Sequence, residues 1–126
     1  MMKGTIPSEV GLLNKLGSFY ANDCMLTGTI PTEMGNIGMM REFVVHSNRL
    51  TGPIPSEVGQ LTNLIALALY DNELTGTVPT EMIELRQTLR FFEFHFNFIT
   101  GSLDPILCQD FSMFASLEMI MTDCTG

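Results

Sequence analysis

At 126 residues, with 45% hydrophobic and 16% charged, the chain has the length of one domain and enough apolar side chains to fill a core, which excludes a disordered polymer. A formal net charge of −8 with only six Lys and Arg leaves too few cations to neutralise a phosphate backbone, so nucleic acid is excluded as a partner. No run approaches the roughly 18 apolar residues of a membrane span, so direct membrane insertion of this segment is not expected, and an anionic membrane surface would repel it.

The opening residues Met1-Met2-Lys3-Gly4 have no apolar h-region, so no signal peptide is expected there. They run straight into Gly4-Thr5-Ile6-Pro7-Ser8-Glu9-Val10-Gly11, a segment that returns as Thr29-Ile30-Pro31-Thr32-Glu33-Met34-Gly35, as Pro53-Ile54-Pro55-Ser56-Glu57-Val58-Gly59 and as Thr77-Val78-Pro79-Thr80-Glu81-Met82. Between these copies the apolar residues keep one spacing. Leu13, Leu16, Phe19, Ala21, Cys24 and Leu26 are followed 24 residues later by Ile37, Met40, Phe43, Val45, Asn48 and Leu50, and 24 later again by Leu61, Leu64, Leu67, Leu69, Asn72 and Leu74. A step of 25 reaches Leu89, Phe92, Phe94, Asn97 and Ile99, and Thr-Gly closes each unit at Thr27, Thr51, Thr75 and Thr100. The expected division is a partial repeat over 1–12, repeats over 13–36, 37–60, 61–84 and 85–109, and a C-terminal cap with a partial repeat over 110–126. Because the first spacer has no strand before it and no capping unit, the chain reads as a fragment of a longer array or a truncated gene model.

Each unit predicts a short strand, an Asn corner, a Thr-Gly turn and a return segment. Strand alternation turns Leu67 and Leu69 inward, with Phe19 and Ala21, Phe43 and Val45, and Phe92 and Phe94 as their equivalents. The column Cys24, Asn48, Asn72 and Asn97 offers amides that satisfy neighbouring turns, with Cys24 read as a small buried thiol able to do part of this. Proline is expected at the first position of a short helical turn, followed by an acid at its positive end. That column, Glu9, Glu33, Glu57 and Glu81, brings one carboxylate per repeat and no second ligand, so it is not a calcium site. One extra residue near Gln87-Thr88 predicts a longer helical turn that leaves the strand stack intact.

This L-x-x-L-x-L-x-x-N-x-L spacing with its LTGxIPxExG spacer resembles the plant-type leucine-rich repeats of receptor-like kinases, receptor-like proteins and related secreted proteins, and is similar to diatom and other algal repeat proteins. The resemblance covers roughly Gly4 to Gly101. It implies an α/β right-handed solenoid, with a parallel β-sheet on the concave face and short helical turns on the convex side. It also implies an extracellular or ectodomain location, with an intracellular scaffold the alternative if Met1 is the true start. After Cys108, the residues Leu117 and Ile120 match Leu64 and Leu67, and Thr122 replaces Leu69. Plant-type families often close with a cysteine pair, so the resemblance implies a Cys108–Cys124 disulfide in this cap, with two free thiols as the alternative; such a bridge contributes about 3 kcal/mol in the chain-entropy model.

The concave rows carry the candidate contacts: Tyr20, Asn22, Asp23, Glu42, His46, Arg49, Tyr70, Asp71, Glu73, Phe91, Glu93, His95, Phe96 and Phe98. His46 and His95 fall in one row two repeats apart, roughly 10 Å by strand spacing, too far to share a metal ion. Each has acids nearby, Asp71 or Glu42 for His46 and Glu93 or Asp71 for His95, yet no oxyanion donors or phosphate loop accompany them. No catalytic, cofactor-binding or metal residue is assigned. The expected function is non-enzymatic recognition of a protein or peptide, with neighbouring repeats or a co-receptor as further partners. A purely structural segment of a longer ectodomain is one alternative. Ice adhesion through Thr5, Thr27, Thr29, Thr75 and Thr77, in rows broken at Pro53 and Ser102, is another, since a plant ice-binding protein is similar to these repeats.

Overall fold

A computed structural model of the chain describes residues 2–100; the Cys108–Cys124 pair, Ser102 and the cap over 110–126 lie outside them. Eight three-residue strands run through the described residues: β1 (Lys3–Thr5), β2 (Ser18–Tyr20), β3 (Met25–Thr27), β4 (Glu42–Val44), β5 (Thr51–Pro53), β6 (Ala66–Ala68), β7 (Glu73–Thr75) and β8 (Phe91–Glu93). The even-numbered strands form one parallel sheet in the order β2-β4-β6-β8. Phe19, Phe43, Leu67 and Phe92 stand in register across it. The extra residue before β8 is absorbed in a longer turn, Thr80–Leu85, and leaves this pairing intact.

The core lies directly behind the sheet. Phe43, Val45, Leu67, Leu69 and Phe92 are buried, whereas Phe19 and Phe94 are half-buried against them. Burial of a Leu or Phe side chain contributes about 1.5–3 kcal/mol.

Past each strand the backbone turns through a left-handed corner at Asp23, Ser47, Asp71 and Phe96, with φ of 53, 58, 58 and 55°. The next residue is the column of Cys24, Asn48, Asn72 and Asn97. Asn72 Oδ1 accepts from the Leu50 N–H at 3.0 Å, and its Nδ2 donates to the carbonyls of Val45 at 3.0 Å and Leu69 at 3.1 Å. Asn48 and Asn97 repeat the pattern one unit before and one after. Cys24 makes one weaker contact of this kind, Sγ to the Asn22 carbonyl at 3.4 Å, and is half-buried rather than buried.

Two features depart from the sequence expectation. The Thr-Gly step is not only a turn: β1 pairs with β3 and β5 with β7 in parallel, and Thr29 bridges to Thr51, so a second strand series runs beside the first. Gly52 sits at φ +76° under the Thr29 γ-methyl, which would lie 2.9 Å from any Cβ there, so glycine is needed on both grounds. Second, Pro7, Pro31, Pro55 and Pro79 are N-caps with extended ψ, not first helical residues. The turns they open, Ser8–Leu12, Thr32–Asn36, Ser56–Gln60 and Thr80–Leu85, are 3-10 in type. Their first bond closes from the third residue onward, as from the Val58 N–H to the Pro55 carbonyl at 3.1 Å, so the proline carbonyl rather than its missing N–H is used. Gly59 lets the turn of the next repeat close in, because a Cβ there would lie 2.5 Å from the Glu81 carbonyl oxygen.

Replacing Asn72 with Ala leaves the Leu50 N–H without its partner and takes one donor from each of the Val45 and Leu69 carbonyls, which keep Asn48 and Asn97. It is expected to destabilise the chain by about 2 kcal/mol, read as a lower urea midpoint at similar slope.

Candidate functional site

The backbone ladder of the four-stranded sheet continues to the corner. Asp23 N–H donates to the His46 carbonyl, Ser47 N–H to the Tyr70 carbonyl and Asp71 N–H to the His95 carbonyl, at 3.0–3.1 Å. Asn22, His46, Tyr70 and His95 are thereby held side by side in one row. The rings use this register. His46 and Tyr70 stack with centroids 4.3 Å apart and planes 7° from parallel, and Tyr70 and His95 stack at 4.8 Å and 4°. These steps match the spacing of neighbouring strands, about 4.8 Å, so planar side chains at one position of successive strands meet face to face. Phe96 closes the ladder with its edge toward His95, at 5.0 Å and 69°.

The imidazoles therefore spend their faces on Tyr70, in place of the acid pairings that adjacency suggested. The described hydrogen bond of the His46 ring runs between Nδ1 and Ser47 Oγ at 3.2 Å. Burial, followed by the charges of Glu93, Asp23 and Asp71, holds the Tyr70 phenol protonated above the usual tyrosine range. Among the described residues no group of three or more His, Cys, Asp or Glu is placed to hold a metal ion.

A second cluster stands at the start of the sheet. The Tyr20 O–H donates to Glu42 Oε2, and the Ser18 O–H donates to the same oxygen at 3.0 Å. The bond to Tyr20, then that to Ser18, lowers the Glu42 carboxyl; the bond to Glu42 raises the Tyr20 phenol. The depressed carboxyl keeps this contact above its ordinary range and loses it as pH falls through the folded value. The raised phenol keeps it up to its ordinary range and loses it as pH rises through the folded value. The cluster is thus intact around neutrality, and Glu42 is engaged with Tyr20 rather than with His46.

The structure divides the candidate residues into three positions. Tyr20, Asn22, Glu42, His46, Tyr70, Phe91, Glu93 and His95 lie on the sheet rows. Asp23, Asp71 and Phe96 form the left-handed corner, where the Asn22 amide donates to Asp23 Oδ2 at 2.7 Å. Arg49, Glu73 and Phe98 stand past that corner and outside the four-stranded sheet, with Glu73 opening β7 of the second strand series. The three exposed phenylalanines are consequently spread over the sheet, the corner and the flank, and Phe96 is the most exposed at 77%. The other corner residues are Asp, Ser and Asp, short polar side chains that tolerate positive φ; an aromatic there is strained by about 1 kcal/mol or more. Sequence reading placed the ring row correctly but missed its stacking, although His46, Tyr70 and His95 at 24- and 25-residue steps carry that signal.

The Asn column, the stacked parallel strands and the capped 3-10 turns define a leucine-rich repeat solenoid of the plant type. No family model matches the chain, and no curated protein sequence does. Among solved structures it is similar to a plant peptide hormone receptor, RGFR1, in complex with RGF2: 32% identity, TM-score 0.81, covering 86% of this chain and 17% of that one. The Arabidopsis receptor kinase HAESA, in complex with the peptide hormone IDA and the co-receptor SERK1, matches at 29% identity and TM-score 0.80, over 86% of this chain and 18% of that one. A plant ice-binding protein matches at 31% identity and TM-score 0.79, over 84% of this chain and 34% of that one. The chain thus spans between about a sixth and a third of the length of these relatives.

Because Asn suits the corner backbone better than an aromatic does, Phe96→Asn is expected to raise stability by about 0.5–1 kcal/mol, measured as a higher urea midpoint. No gain, or a loss, would show that Phe96 packing outweighs its backbone strain.

Proposed function

We propose that the chain is a non-enzymatic recognition module that binds a peptide or protein along the four-stranded sheet, as part of an extracellular receptor-like or secreted protein. The observation that carries this reading is the His46–Tyr70–His95 ladder, flanked by the exposed rings of Phe91 and Phe96. Aromatic side chains supply contact area at low entropic cost, and here the backbone register has already ordered them before any ligand arrives. Across the sheet the row spans three strand steps, about 14 Å, which matches four or five residues of an extended peptide. Neighbouring repeats or a co-receptor would supply further contact, and two of the similar structures are receptors bound to peptide hormones.

The threonine face supports ice adhesion less well. Thr27, Thr29, Thr75 and Thr77 are exposed beside the second strand series, and one similar structure is an ice-binding protein. Pro53, however, pairs with Thr75 and sets a residue without a hydroxyl in that series, and the Thr29 methyl is packed over Gly52.

The test is selection of binders from a random dodecapeptide library against the folded chain, followed by binding to variants. Tyr70→Ala, and separately Phe91→Ser with Phe96→Ser and Phe98→Ser, are expected to weaken the selected peptides about tenfold or more, near 1.4 kcal/mol. Affinity unchanged from the parent in both variants would show that the sheet face is not the binding surface. Thermal hysteresis in an ice-growth assay would instead favour the threonine face.

A further inference from the structure

We propose a second, separate binding site, for an acidic segment in the polyproline II conformation, on the edge of the solenoid where the sheet strands begin. Arg41, Ile65 and Arg90 immediately precede β4, β6 and β8, and backbone bonds fix them as one column: Ile65 N–H donates to the Arg41 carbonyl at 2.7 Å and Arg90 N–H to the Ile65 carbonyl at 2.8 Å. Together with Met39, Asn63 and Thr88 they line a depression of about 410 Å³. Among the described residues no carboxylate lines it, in a chain whose formal net charge is −8 and whose Lys and Arg number six. Two of those six cations are therefore gathered at one concavity, and its described wall residues include none of the acids that dominate the chain's charge. The carboxylate that Arg41 influences is Glu42, whose lowered pKa owes more to Tyr20 and Ser18.

The spacing selects the ligand. Arg41 and Arg90 are two strand steps apart, about 9.6 Å. A polyproline II helix has three residues per turn and rises about 3.1 Å per residue, so side chains at i and i+3 lie on one face about 9.3 Å apart. In a β-strand, residues three apart face opposite ways, which does not suit two anchors on one wall. Two carboxylates at i and i+3 can each meet one guanidinium, in the charge-assisted geometry that arginine favours. The intervening prolines then lie over Ile65 and Met39, the apolar part of the lining. Asn63 braces the wall by donating from Nδ2 to the Gly38 carbonyl at 2.7 Å. The ligand is thus an extended acidic, proline-rich peptide segment, and its site is distinct from the ring ladder.

The experiment is fluorescence anisotropy of the folded chain with a labelled Pro-Glu-Pro-Pro-Glu-Pro peptide, beside versions with the two Glu adjacent or replaced by Gln. Saturable binding that is strongest for the i, i+3 peptide is expected, weakening as sodium chloride rises from about 20 to about 300 mM. The double variant Arg41→Gln with Arg90→Gln is expected to bind at least about tenfold more weakly, whereas Lys3→Gln with Lys15→Gln, which removes the same charge elsewhere, is expected to bind as the parent does. Equal loss in both double variants, equal binding of all three peptides, or displacement of the peptide by inorganic sulfate at the same concentration would overturn the proposal. Tyr70→Ala should leave this binding unchanged, so failure here and failure of the ladder as a peptide surface are separately visible.

Discussion

The structure depends on the hydrogen bonds of the asparagine column. At each corner the chain leaves the sheet through a left-handed residue; the backbone ladder continues there, as from the Asp71 N–H to the His95 carbonyl, but the Leu50 N–H just past its corner is taken up by the Asn72 side chain. Asn72 takes up an N–H of the preceding repeat, a carbonyl of that repeat and a carbonyl of its own, so a single side chain ties two turns together across the interior. An amide is the one small side chain with an acceptor and two donor hydrogens pointing in opposite directions. At the first corner Cys24 has only a weak donor, and the column there is correspondingly thinner.

Constant register is the consequence that matters for function. Because each repeat is tied to the next at the same atom, any position repeats at the strand spacing, and side chains of one row become neighbours whatever their distance in sequence. The ring ladder, the Tyr20–Ser18–Glu42 cluster and the Arg41–Ile65–Arg90 column are three products of that rule. They differ in chemistry because the exposed positions carry no structural duty. Phe96 is the exception: it occupies a corner that has a structural preference and departs from it. An exposed aromatic in a disfavoured backbone shape is better accounted for by contact with another molecule than by folding.

The repeat period, the inward positions, the asparagine column and the longer final turn were all legible in the residues, since each follows from spacing alone. The rows of candidate residues were legible as well, because strand alternation fixes which residues share a face. Less of the site could be read. That Arg49, Glu73 and Phe98 stand past the corner depends on where the backbone bends, and the bend is made by Asp, Ser and Phe residues with no common sequence mark. The second strand series was hidden for a related reason: Thr-Gly is equally compatible with an isolated turn, and only backbone bonds between repeats, such as that from the Thr51 N–H to the Gly28 carbonyl at 2.8 Å, make it a strand pair.

By itself, then, the sequence determined a solenoid, its period and the membership of each row, because a period of 24 or 25 residues admits one way of burying its apolar positions while satisfying its corners. Tertiary structure decided what each row became. Whether His46 faces an acid or a ring, whether Glu42 serves a histidine or a tyrosine, and whether two arginines 49 positions apart share one concavity all turn on side-chain directions across a 4.8 Å step of about the width of an aromatic ring. That distance is set by backbone hydrogen bonds between repeats, and spacing along the chain carries no record of the rotamers chosen across it.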